Sequence, residues 1–242
     1  SFAYAEGVFN RHYNLALSPT GFSMLELGPG DSIVSAILGR ANGASDCILV
    51  DTGPYATQNL GYYRAAVNAL SSEGRSINVD LNSFDTLLQS CHAVYEFKGI
   101  QSLQAQPSGS VDFIWSHAVL EHVRKAELPD TFHEFRRIIK SRGISTHWVD
   151  FKDHLGGGLN NLRFSERVWE SRLMSNSGFY TNRVRMCELL KMIESAGFIV
   201  EVIQTVRWNK IPISRKLLAP EFSCLTDEDL LISSAMLRLR PC

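Results

Sequence analysis

The 242-residue sequence contains no Cys-x-x-Cys pair, and its five cysteines, at 47, 91, 187, 224 and 242, are odd in number and scattered. Such spacing supplies neither a zinc site nor a disulfide framework and is the usage expected of reduced, cytoplasmic thiols. No apolar run is long enough to span a bilayer, and no signal peptide is visible. The formal net charge is −1, so no basic surplus points to nucleic acid or to an anionic membrane surface. Internal repeats and low-complexity stretches are also missing. The chain starts at Ser1 rather than Met, as expected of a trimmed product or of a piece of a longer protein.

What is present is an apolar fraction of 45%, ordinary for a chain able to bury a full core. The length suits one domain over residues 1–242, with residues 151–183 and 207–230 as insertions or lid segments within it. Short apolar runs at Ser23–Leu27, Cys47–Asp51, Ala93–Phe97, Val111–Ser116, Ile144–Asp150 and Phe198–Thr205 read as strands. Helical spacing falls between them, at Ile33–Asn42, Leu60–Ser72, Thr131–Lys140 and Val184–Ala196. Arg142-Gly143 reads as the stop of the third of these helices. A lead-in helix precedes a Ser18-Pro-Thr-Gly turn. Residues 73–92 show no clear pattern, and Gln101–Ser110 reads as a loop. Ser233–Arg240 alternates as an antiparallel edge strand does. The expected fold is α/β, a doubly wound, Rossmann-like, mostly parallel seven-stranded sheet with an antiparallel edge strand.

The most informative stretch is Met24-Leu-Glu-Leu-Gly-Pro-Gly-Asp31, a strand that runs into a Gly-x-Gly turn. Gly28 and Gly30 permit a tight turn and a close approach of backbone to ligand. Asp31-Ser32 reads as the cap of the following helix. Asp51 ends the next strand at the distance of a ribose-binding acid in a βαβ unit. A third glycine, usual above a pyrophosphate, would stand at position 33, which is Ile33. Glu26, inside the strand, suits a cationic amino-acid ligand better than a pyrophosphate. These details favour S-adenosylmethionine over a dinucleotide.

On these residues the chain resembles the class I S-adenosylmethionine-dependent methyltransferases. Glu26-Leu-Gly-Pro-Gly30 is similar to their first motif, and Asp51 to the acid that takes the ribose hydroxyls. Val111-Asp-Phe-Ile-Trp-Ser116 with Val119-Leu-Glu-His-Val123 resembles their fourth motif and the helix after it. Arg136-Arg-Ile-Ile-Lys-x-x-Gly143, Ala196-Gly-Phe198 and the Asp227-Glu-Asp-Leu ending continue the match. The usual adenine-binding Asp after the third strand is absent; Lys98-Gly99-Ile100-Gln101 stands there, and backbone or Gln101 is the substitute. The resemblance implies a cofactor site of Glu26, Gly28, Gly30, Asp51, Gly99, Ile100, Ser116 and His117. S-adenosylhomocysteine is the implied product. The polar, aromatic text from Ser145 to Arg185 resembles a bacterial subgroup associated with polysaccharide gene clusters, which points to a glycan or small-molecule acceptor.

Transfer to a hydroxyl needs alignment and a base. Helix spacing places His117 and Glu121 on one face, with His122 adjacent. His122 and His154 are the candidate bases, with Asp150 and Asp153 as orienters of His154; His147 shares a strand face with Val149 and can be buried instead. The ubiquinone O-methyltransferases are similar at Glu121-His122 but carry a further carboxylate where this chain has Ala118, and no metal is assigned. Arg163, Arg167, Arg172, Arg183 and Arg185 either bind an anionic or sugar acceptor or pair with Glu166, Glu170 and Glu188. N- or C-methylation, and a non-catalytic cofactor-binding partner, remain open, as does a homodimer. Without a basic surplus or an Asn/Asp-Pro-Pro motif after the fourth strand, a nucleic-acid acceptor is not expected.

Overall fold

The computed structural model describes residues 1–16 and 20–242; the turn expected at Ser18-Pro-Thr-Gly lies partly outside them. In chain order the elements are α1 (Phe2–Ala16), β1 (Ser23–Leu27), α2 (Val34–Ala41), β2 (Asp46–Val50), α3 (Leu60–Ser72), α4 (Phe84–Ser90) and β3 (Ala93–Glu96). Then come α5 (Ile100–Gln104), β4 (Val111–His117), α6 (Leu128–Ile138), β5 (Ile139–Asp150), α7 (Glu166–Trp169) and α8 (Arg172–Ser175). The chain closes with α9 (Met186–Ser195), β6 (Phe198–Arg207), α10 (Asp227–Leu231) and β7 (Ile232–Pro241). Among the described residues the strands form a seven-stranded sheet in the order β3-β2-β1-β4-β5-β7-β6. Pairs β1–β2, β1–β4 and β2–β3 are parallel. Residues 197 and 208 bond residues 242 and 231, so β6 and β7 run antiparallel. This bears out the expected sheet, with one refinement. The alternating last strand, β7, lies inside the sheet and is mostly buried, while β6 takes the edge and is mostly exposed.

The chain divides into two compact units: mainly Ser1–His117 with Glu134–Thr146, and Ala118–His133 with His147–Arg240. In the first, β1 is buried along its whole length. Around it, Phe22, Met24, Ile37, Leu49, Tyr63 and Phe113 belong to one apolar core. Helix α2 lies so close to β1 and β2 that a Cβ on Gly39 would stand 2.6 Å from the Met24 sulfur. The close helix–strand contact absent at Ile33 is thus made at Gly39.

Local chemistry moves several expected boundaries. Asp31 and Ser32 do not cap α2, which starts after Ile33 with no side-chain cap. The Ile33 amide instead donates to the Tyr63 hydroxyl (3.3 Å), which donates in turn to the Thr57 carbonyl (2.6 Å). Residues 84–90 form a helix because Ser83 and Thr86 make a reciprocal capping box. The helix at 100–104 takes in the first residues of the loop expected at Gln101–Ser110. No helix forms at 118–123: Ala118 takes a left-handed conformation (φ 55°) and turns follow, so His117 and Glu121 share no helix face. Gly143 stops no helix, since α6 ends at Ile138 and β5 begins at once.

In the second unit, the two excursions pack together. Leu159, Leu162, Ile213, Phe222 and Leu230 form a small core of their own.

Candidate active site

Strand order reverses between β1 and β4, and ligands of such sheets bind beyond the carboxyl ends of the strands at that point. The backbone leaving β1 is knitted to its neighbours there. The Gly28 amide donates to the Val50 carbonyl (2.8 Å) and the Gly99 amide to the Asp51 carbonyl (2.9 Å). The Gly30 amide donates to Asp51 Oδ2 (3.0 Å) and the Thr52 amide to Oδ1 (2.7 Å). Gly28, Gly30 and Gly99 all have positive φ (76°, 65° and 54°), which glycine adopts without strain. The structure therefore brings Gly28, Gly30, Asp51 and Gly99 together. Ile100 opens the helix that follows Gly99. A carboxylate has about four acceptor positions, so two amides leave Asp51 able to take a diol.

Beside this knot lies a cleft lined by Glu26, Gly28, Ser35, Tyr62, Trp115 and His117, with Tyr4, Ala5 and Val8 of α1 also on its wall. Glu26 is 7% exposed. Its carboxylate accepts from the Ser35 hydroxyl on α2. Burial pushes its pKa up to about 8, against the Ser35 hydrogen bond and with a small push from Asp51. A buried acid held this way favours a cationic guest. His117 ends β4, and burial and the Arg11 charge depress its pKa to about 4. Its Nδ1 lies 3.1 Å from His12 Nε2, and His12 Nδ1 lies 2.9 Å from the Thr146 hydroxyl. Ser116 is wholly buried opposite Leu27. Gln101 lines a different hollow, with Tyr95 and Lys98, which shares no residue with the Glu26 cleft.

Sequence reasoning passed over Trp115 and Ser35. Trp115 Nε1 is buried and has no hydrogen-bond partner among the described residues. The available signal was the register: Trp115 is the partner of Glu26 across β1 and β4.

The second unit holds the candidate bases. The His122 and His154 rings stand 5.0 Å apart. His122 keeps part of its surface open, yet the protein packed around it lowers its pKa, and His154 adds to that. Asp150 accepts from the Lys152 amide (2.9 Å) and pairs with its ammonium (3.1 Å). Asp153 is not available to orient His154. It is buried, and its carboxylate accepts the amides of Leu155, Gly158 and Asn160. Glu121 is buried, with its pKa pushed up to about 8 chiefly by burial. His147 is fully buried, as its strand face allows.

Two of the five arginines are structural. Arg183 pairs with Glu166 (2.9 Å), donates to the Phe164 carbonyl (2.6 Å) and lies over Trp169 and Phe222. Arg185, 2% exposed, donates to the carbonyls of Phe151, Asp229 and Ile232. Arg163, Arg167 and Arg172 are exposed.

Residues 5–199 match a family model described as a methyltransferase domain. The chain belongs to this methyltransferase family. A search of curated protein sequences finds no match. Solved methyltransferases share the fold at low identity. Geranyl diphosphate C-methyltransferase from Streptomyces coelicolor A3(2), in complex with Mg2+, geranyl diphosphate and S-adenosyl-L-homocysteine, is 13% identical, with a TM-score of 0.56 over 98% of this chain and 79% of that one. Phosphoethanolamine N-methyltransferase 2 from Haemonchus contortus, in complex with S-adenosyl-L-methionine, is 12% identical, with a TM-score of 0.53 over 99% and 53%. The [4+2]-cyclase SpnF is 14% identical, with a TM-score of 0.55 over 98% and 80%. A fold shared by a C-methyltransferase, an N-methyltransferase and a cyclase does not fix the reaction of this family member.

Proposed function

We propose that this methyltransferase uses S-adenosylmethionine to methylate a hydroxyl on a small molecule or glycan, S-adenosylhomocysteine being the product. The observation that carries the cofactor is the knot of Gly28, Gly30, Asp51 and Gly99 beside the buried Glu26. These residues fit the group. Asp51 has acceptor capacity for the ribose hydroxyls, and Glu26, ionised by a neighbouring cation, would hold the α-ammonium. Gly28 and Gly30 let backbone approach, while Gly99 and Ile100 would border the base. Ser116 and His117 close the end of β4. When bound, the cofactor supplies a methyl group carried on a sulfonium.

The chain's own share of the reaction is alignment and proton removal. His122 or His154 takes the hydroxyl proton on a ring nitrogen, and Asp150 is the nearby acid that favours the imidazolium. The lowered pKa of His122 keeps it in the proton-accepting form at neutral pH. Five free cysteines suit a cytoplasmic setting.

The test is a transfer assay over hydroxyl, amine and carbon acceptors with wild type, His122→Ala and His154→Ala. Methylation of a hydroxyl that falls about 10²- to 10⁴-fold in one variant supports base catalysis. Transfer to an amine or carbon that both variants retain overturns the O-methylation reading. Cofactor binding with no transfer to any acceptor favours a non-catalytic partner.

A further inference from the structure

Glu26 on β1 and Trp115 on β4 are Cα partners in register. Register partners on adjacent parallel strands direct their side chains to the same face of the sheet. Both are buried, at 7% and 2% exposure, and both line the same cleft. The indole is fixed by α1: it lies edge-on to Phe9 at 5.9 Å and 5.0 Å from the His12 ring. The two polar groups differ in one respect. Glu26 has the Ser35 hydroxyl, whereas Trp115 Nε1 has no partner among the described residues.

An indole N–H can only donate, and folded proteins leave few buried donors unpaired. The group that completes this wall therefore accepts a hydrogen bond at Trp115. Beside it, Glu26 is a buried acid whose ionised form a neighbouring positive charge would stabilise. A lone donor next to a buried acid is complementary to a zwitterion, one end anionic and the other cationic. The α-amino-acid end of the proposed cofactor has that form.

We propose that Trp115 Nε1 donates to the α-carboxylate of the bound cofactor while Glu26 takes its α-ammonium. The assignment rests on the S-adenosylmethionine reading above. It makes Trp115 a recognition residue for the amino-acid end and not only a core aromatic.

Calorimetry with three probes tests it: S-adenosylhomocysteine, its decarboxylated analogue, and 5′-methylthioadenosine, which lacks the amino-acid end altogether. Trp115→Phe keeps the ring packing and removes the donor. The expected result is a loss of about ten- to one-hundred-fold in S-adenosylhomocysteine affinity, as for a hydrogen bond to a charged group. Methylthioadenosine affinity stays unchanged. An unchanged S-adenosylhomocysteine affinity, or an equal loss for both probes, overturns the assignment. The wild type alone gives a second reading if the variant does not fold. It should bind the decarboxylated analogue more weakly than S-adenosylhomocysteine, and equal affinity contradicts the proposal. Failure of the wild type to bind any of the three rejects the cofactor reading itself.

Discussion

The Gly30 amide donates to the Asp51 carboxylate across 3.0 Å, tying the turn after β1 to the end of β2. The same aspartate receives the Gly99 amide at its main-chain carbonyl, so the ends of β1, β2 and β3 are joined. Backbone held in this way has little ordering left to lose on binding a ligand.

Stability should depend on pH in two stages. Folded Glu26 and Glu121 keep their protons to about pH 8, against 4.5 for an ordinary glutamate. Between these values the folded state holds more protons than the unfolded state, so stability falls as pH rises. His117 and His147 act in the opposite sense. Their pKa values are about 4 and about 3 when folded, against 6.5, so they add stability as the pH rises toward 6.5. The two pairs offset each other from pH 4.5 to 6.5, and the acids act alone above that. Urea unfolding should show a nearly flat profile from pH 4.5 to about pH 6.5 and a decline to pH 8 that Glu26→Gln and Glu121→Gln each reduce. A rise over that upper window contradicts the burial of these acids.

Arg185 should matter for folding and not for acceptor binding. Its guanidinium satisfies three main-chain carbonyls. Arg185→Met leaves them without their donor and should lower unfolding free energy by about 3 kcal/mol or more. A variant of unchanged stability whose only defect is a raised KM for an anionic acceptor would restore the binding role for this residue.

Gly143 should resist substitution because of a close approach. A Cβ there would stand 2.9 Å from the Asp112 carbonyl and 2.6 Å from the Ile139 side chain. Gly143→Ala should cost about 1–3 kcal/mol, as overpacking does. Gly178→Ala, whose Cβ meets nothing within 4 Å, should change stability by less than about 0.5 kcal/mol. Equal effects at the two positions, measured by denaturant titration, would contradict the packing of β5 against β4.

The turn that brings Gly28, Gly30 and Asp51 together was legible because its signals are local. An apolar run, two glycines and a strand-ending acid report a βαβ turn within thirty residues. α4 was missed because its signal is one capping box in polar text, and residues 118–123 misled because Val119-Leu-Glu-His-Val123 has helical composition although Ala118 turns the chain away. Gly143 looked like a helix stop because sequence shows a glycine but not the neighbouring strand that requires it. For Arg183 and Arg185 the sequence left acceptor binding and pairing with glutamates both open for the same reason: their carbonyl partners lie up to 47 positions away in the chain. Trp115 became visible only through the register of β1 and β4, which a single sequence does not display.

Titration of wild type and Asp51→Ala with S-adenosylhomocysteine, with thermal melting to confirm that both are folded, addresses the central claim most directly. The account predicts that the wild type binds and that the folded variant binds at least about ten-fold more weakly, since its ribose acceptor is gone. A folded wild type that does not bind, or an Asp51→Ala variant that binds as well as the wild type, would contradict it.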